Sequence, residues 1–89
     1  MRPPKVAETA MDDLRRAVES VLKNLPEGAG RENGSKDQVR FYRFANGSAQ
    51  EAASCHNILS IYGVWPDHVY RRGRSLLLEV CRMLTAMSR

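Results

Sequence analysis

The stretch Ala45-Asn46-Gly47-Ser48-Ala49-Gln50-Glu51-Ala52-Ala53-Ser54-Cys55 decides the fold. Asn-Gly between apolar runs is a hairpin signal, and glycine inside a helix costs about 1 kcal/mol relative to alanine. The surrounding pattern is helical all the same. Phe41, Ala45, Ser48, Ala52, Cys55, Leu59 and Tyr62 recur every three or four residues, straight through Asn46-Gly47. The stretch therefore reads as the centre of a helix over 36–62, about 40 Å long at 1.5 Å per residue. Ser35 and Gln38 form a capping box at its start. Ala45, Ser48 and Ala52 lie on the core stripe, where small groups let a neighbouring helix approach. Gly47 and Ser54 fall on the flank beside Glu51, where a second helix or a second subunit is expected to press close. Glu51 sits at the edge of the apolar arc and is expected to have a partner, since an unpaired buried carboxylate is costly.

A second helix precedes this one, over about 9–25. Ala7, Met11, Leu14, Val18, Val21 and Leu25 form its apolar stripe, with Arg15, Arg16, Glu19 and Lys23 opposite. Pro26, which lacks an amide donor, is expected to end it. Residues 1–8, with two prolines, are expected to be disordered, and residues 27–34 form a glycine-punctuated loop. After 36–62, Gly63 is the expected helix-ending residue, and a third helix follows over 66–87. Val69, Leu76, Val80, Met83, Leu84 and Met87 form its expected core face. Trp65, beside Pro66, is expected to pack over the bundle end. Nothing reads as a strand, so the fold class is all-α: an antiparallel helical bundle in one domain over 1–89.

With 89 residues the chain holds one small core, which predicts marginal stability without a partner or a copy of itself. It is 43% hydrophobic and 27% charged, within the globular range. No apolar run reaches the roughly 20 residues of a membrane span, and the N-terminus lacks the apolar core of a signal peptide. Two cysteines are too few for a disulfide framework, so a cytoplasmic, reducing location is expected.

Chemistry-bearing patterns are sparse. Gly30 to Lys36 reads GRENGSK, which inverts the order a phosphate-binding loop needs and follows no strand. Cys55, His56, His68 and Cys81 lack metal-ligand spacing, and Cys55 and His56 point about 100° apart on a helix. No nucleophile–base arrangement is readable, so no catalytic, metal or cofactor role is expected. The net charge of +4 lies wholly in residues 35–89. Arg71, Arg74, Arg82 and Arg89 fall within a sector of about 80° on the third helix, opposite Val69, Val80 and Met87. Such a row can track phosphates, although the outer face of any bundle helix is charged. Trp65 and Tyr42 could stack on bases, but the platform of aromatic strands that single-stranded RNA favours is missing.

Asn24-Leu25-Pro26-Glu27-Gly28, Phe41-Tyr42-Arg43-Phe44-Ala45, Gly47-Ser48 and Glu51 together resemble a family signature. It is that of the bacterial four-helix-bundle proteins first noticed in intervening sequences of large-subunit ribosomal RNA genes. The resemblance covers about Leu14 to Gly63, with Arg15-Arg16 matching a basic pair. It assigns Asn24, Glu27, Gly28, Arg43, Gly47, Ser48 and Glu51 to the family motif. Two departures stand out: Pro26 replaces an alanine, and the chain begins where the second helix of relatives begins. Three of four helices are then expected, with an apolar groove left open for another polypeptide. The resemblance implies a homo-oligomer (a pentamer in relatives), no enzyme, and a suggested role in binding RNA or DNA. The alternative is an accessory subunit, for example a partner of a reverse transcriptase or other polypeptide, with no direct nucleic-acid role; a distantly similar bundle is a basic pentamer that partners a reverse transcriptase and RNA.

Overall fold

The computed structural model describes residues 4–89, which form three helices: α1 (Lys5–Ala29), α2 (Lys36–Ile61) and α3 (Asp67–Met87). α1 opens earlier than its apolar pattern suggests. The Pro4 carbonyl accepts from Ala7 and Glu8 amides at 2.9 and 3.1 Å, so residues 5–8 are helical rather than disordered. Residues 1–3, also expected to be disordered, lie outside the described residues.

Pro26 does not end α1; it lies inside it. Pro26 and Leu22, whose carbonyl loses its donor, are both exposed, so that carbonyl is free to bond water. The extra turn is held from the other side. Gly28 is buried, and its carbonyl accepts from Gln38 Nε2 at 3.2 Å. Gln38 serves the α2 start as well: its amide donates to Ser35 Oγ at 3.1 Å, and its Oε1 accepts from the Gly34 amide at 2.9 Å. The expected capping box is thus present, with the return bond one residue earlier than usual.

At the far end of α2, Gly63 has φ +73°. The Val64 amide donates to the Leu59 carbonyl at 2.9 Å and the Gly63 amide to Ser60 at 3.0 Å, a Schellman closure that reverses the chain into α3. α2 is continuous through Asn46-Gly47.

α2 lies in the middle. It packs against both α1 and α3, which do not pack against each other. The interior is small-grained: Ala7, Ala10 and Leu59 form one cluster with Leu14, Ile58, Val64 and Trp65 packed on it. Ala45, Ala49 and Leu84 form the other, with Val21, Leu25, Val80 and Cys81. The alanines of the central stretch are thus the contact surface for both neighbours, as their size suggested.

Several expected core residues are not interior. Met11 (44% exposed) and Val18 (41%) on α1 yield their places to Ala10 and Ala17. On α3, Leu84 alone is buried, while Val69, Leu76, Met83 and Met87 are exposed. Tyr62 is exposed and Tyr42 is buried in its stead, so Tyr42 offers no ring for a base. The apolar stripes of α1 and α3 each serve two faces, one against α2 and one open. The periodicity summed the two.

Candidate nucleic-acid interface

Arg71, Arg74 and Arg82 project from α3 and are exposed. From Arg71 to Arg82 they span about 16 Å of helix at 1.5 Å per residue. Arg71 is ion-paired with Asp67 one turn earlier, both side chains being well exposed, so the pair contributes little and is open to exchange for a phosphate. Arg74 borders a small cleft with His56, Asn57 and Leu78. Arg82 makes no ion pair among the described residues. Arg89 lies past the Ser88 cap, beyond the helix, so its place in the row is not set by helical geometry.

The family-motif residues divide sharply. Asn24 Nδ2 donates to the Ser20 carbonyl at 2.8 Å and to Ser20 Oγ at 3.1 Å, and Ser48 Oγ donates to Ser20 Oγ at 2.7 Å. This short polar chain is a second tie between α1 and α2, beside the Gln38–Gly28 bond at the connecting turn. Gly28 packs beneath Tyr42, where a Cβ would lie 2.7 Å from the ring. Arg43 Nε donates to the Ser88 carbonyl at 3.2 Å, a cation placed on the orphan carbonyls and negative dipole end of α3. Glu27 forms an exposed pair with Arg31 at 3.5 Å.

Gly47 and Glu51 depart from expectation. A Cβ at Gly47 would meet nothing within 4 Å, so no helix of this chain presses on it. Glu51 is exposed and has neither hydrogen bond nor ion pair among the described residues, because the edge of the apolar arc here faces solvent rather than a helix. The carboxylate needs no partner.

His56 was not singled out by any pattern of its own helix. It is buried, and its Nε2 donates to the Tyr70 carbonyl at 2.9 Å while its ring stacks on Tyr70 with centroids 5.1 Å apart. The Tyr70 hydroxyl donates back to Asn57 Oδ1 at 2.9 Å. Gly73 makes room for this ring, since a Cβ there would lie 2.6 Å from it. His56, Tyr70 and Gly73 therefore fasten α3 to α2. Pairing a helical His with a Gly seventeen positions on needs the tertiary register, which no spacing rule supplies. Trp65 lies beside His56 at 5.7 Å between ring centroids, packed over the bundle end as expected, with its indole N–H buried and unpaired.

Cys55 and Cys81 are free thiols. Burial pushes both above the ordinary value of 9.0, and for Cys55 the charges of Asp13 and Glu51 add to it, so both keep their protons at neutral pH. Among the described residues no three His, Cys, Asp or Glu side chains group as metal ligands, and no helix is long and apolar enough to cross a membrane.

Comparison with curated proteins and with solved structures returned no match. The model of the 23S rRNA-intervening sequence protein family matches residues 3–86. That span takes in all of α1 and α2 and all but the last residue of α3, so the chain belongs to the 23S rRNA-intervening sequence protein family.

Proposed function

We propose that this protein is a non-catalytic, self-associating helical bundle of the cytoplasm that contacts RNA or DNA through the flank of α3 bearing Arg71, Arg74 and Arg82, extended by Arg89. The observation that carries the reading is the disposition of α3. Its arginines stand on one exposed flank of a rigid helix, interrupted by the exposed Leu78 and about opposite the exposed Val69, Leu76, Met83 and Met87. Guanidinium groups held in that way contact several phosphates at once, with affinity set by counterion release.

The test is binding to a structured RNA followed by anisotropy across a salt series. Affinity is expected to fall linearly on logarithmic axes, and Arg74→Ala and Arg82→Ala each to lower the slope by about 1. Binding that ignores salt, or ignores both substitutions, refutes this interface. The exposed apolar side of the bundle supports a second reading, an accessory subunit whose partner is a polypeptide. A pulldown that returns protein from nuclease-treated extract, with no salt-sensitive RNA binding, favours it.

A further inference from the structure

We infer that the seam between α2 and α3, on the side away from the open apolar side of the bundle, is one basic track that seats the backbone of a nucleic-acid duplex. The inference rests on the nucleic-acid reading proposed above, adds Arg43 and Lys36 of α2 to it, and names the form of the ligand. Lys36, Arg43, Gln50 and Asn57 recur every seven residues along α2, and all four are exposed. A seven-residue step drifts only about 20° on a helix. The four therefore make a nearly straight polar line, about 30 Å long at 1.5 Å per residue. The open apolar side lies elsewhere: Ala49 and Ala52, on its floor, stand about 100° and 160° round α2 from Gln50.

Three bonds register α3 along this line. The Tyr70 hydroxyl donates to Asn57 Oδ1 at 2.9 Å, Asn46 Nδ2 donates to Thr85 Oγ1 at 3.3 Å, and Arg43 Nε donates to the Ser88 carbonyl at 3.2 Å. The α3 arginines thus run beside the polar line and antiparallel to it. Arg74 stands at the Asn57 end, where the two share a small cleft with Leu78, and Arg82 stands about one turn before Thr85. The basic row does not stop where α3 stops. At the Ser88 corner it passes to Arg43, whose exposed guanidinium makes no other hydrogen bond or ion pair among the described residues. It then reaches Lys36, about two turns further along and likewise unpaired among them. Acidic groups stay off the seam. Asp37 and Glu51 lie about 120° and 80° round α2 from Arg43, and Glu79 about 60° round α3 from Arg82. Asp67, at the far end, is taken up by Arg71.

The chemistry of the seam selects a duplex. Its guanidinium, ammonium, carboxamide and hydroxyl groups bond phosphate and sugar oxygens, contacts that position a nucleic acid without reading its bases. A single strand is held instead by stacking its bases on aromatic rings, and the seam offers none. The Tyr70 ring stacks on His56, and Phe41 is covered by the Arg31 and Arg40 guanidinium groups, each 5.0 Å from its centroid. Phe44 and Tyr62 stand about 100° round α2 from Arg43. The length agrees as well. A line of about 30 Å is close to one turn of a duplex, about 34 Å. The cations at its two ends, Arg74 and Lys36, then meet one strand at successive passages.

The experiment is anisotropy of labelled oligonucleotides titrated with the full chain. The probes are an RNA duplex and a DNA duplex of about 20 base pairs, long enough to cover the track at 3.4 Å per step, and their separate strands. The favoured duplex is expected to bind about tenfold tighter than its strands, and the RNA and DNA arms tell which sugar the seam takes. At about 0.9 per neutralised phosphate, Arg74, Arg82, Arg43 and Lys36 together give a logarithmic salt slope of about −3.5. The two α3 arginines alone give about −2. Lys36→Ala and Arg43→Ala are each expected to reduce the slope by about 1, and Arg43→Lys to restore it, with circular dichroism verifying that every variant stays helical. Arg72→Ala removes the same charge from α3 on the apolar side, beside Val69 and Leu76, and is expected to leave the slope unchanged. Strands that bind as tightly as the duplexes, or an Arg72→Ala loss as large as that of Lys36→Ala, overturn the duplex track. So does a slope that answers to Arg74→Ala and Arg82→Ala but not to Lys36→Ala, which leaves the α3 interface standing. Absence of salt-sensitive binding to any of these oligonucleotides overturns the nucleic-acid reading itself.

Discussion

Gly28, Gly47 and Gly73 sit in helices and differ only in what stands beside them. At Gly28 and Gly73 a methyl group would fall 2.7 Å from the Tyr42 ring and 2.6 Å from the His56 ring, both aromatic side chains that are themselves buried. At Gly47 it would meet nothing. Gly28→Ala and Gly73→Ala are therefore expected to destabilise by about 1–3 kcal/mol through overpacking. Gly47→Ala is expected to stabilise by about 0.8–1.0 kcal/mol through helix propensity alone. Thermal unfolding of the three variants checks this; a lower midpoint for Gly47→Ala would mean that a surface outside the chain presses on it. The family pattern flagged Gly28 and Gly47 alike, and structure separates them. Gly73 was invisible, because the need for it comes from a histidine on another helix.

At the scale of elements, the helix boundaries followed local chemistry where local chemistry was decisive. Ser35 with Gln38 starts α2, and Gly63 closes it, as their types require. Pro26 was misleading because its penalty depends on surroundings. The lost bond lies on the solvent side, and Gln38 and Tyr42 of α2 hold the turn that follows. Restoring the donor without disturbing those contacts is expected to stabilise α1. Pro26→Ala should raise the unfolding midpoint by several degrees, about 4–8 °C per kcal/mol regained in a domain of this size. An unchanged or lower midpoint would show that the ring's rigidity in the unfolded chain outweighs the missing bond.

For the molecule as a whole, Leu59 and Leu84 are the only large side chains that are fully buried among the described residues. The remaining interior is mostly alanine, with Cys55, the Tyr42 and His56 rings, Gln38 and partly exposed aliphatic groups, which limits what one chain can gain from burial. With self-association as proposed, stability depends on assembly, and the unfolding midpoint rises with protein concentration. Scanning calorimetry of the wild type over a wide concentration range is expected to show that rise. A concentration-independent midpoint for the wild type would sink the coupling of folding to assembly.

Three amphipathic helices, their order, the alanine stripe on which they meet and the arginine flank of α3 were all legible in the order of residues. Each of these depends on residue type and periodicity within one element, and those are local properties. Which side of each stripe is interior was decided only by the tertiary structure. A stripe of six apolar residues looks the same whether a helix or water covers its edge, and the outcome depends on the angle at which neighbouring helices cross. For the same reason the His56–Tyr70–Gly73 fastening and the solvent-facing Gly47 and Glu51 emerged only once α2 had both neighbours. The hairpin signal in Ala45–Cys55 lost to the period of its surroundings; the contacts that make that stretch alanine-rich lie on the other two helices.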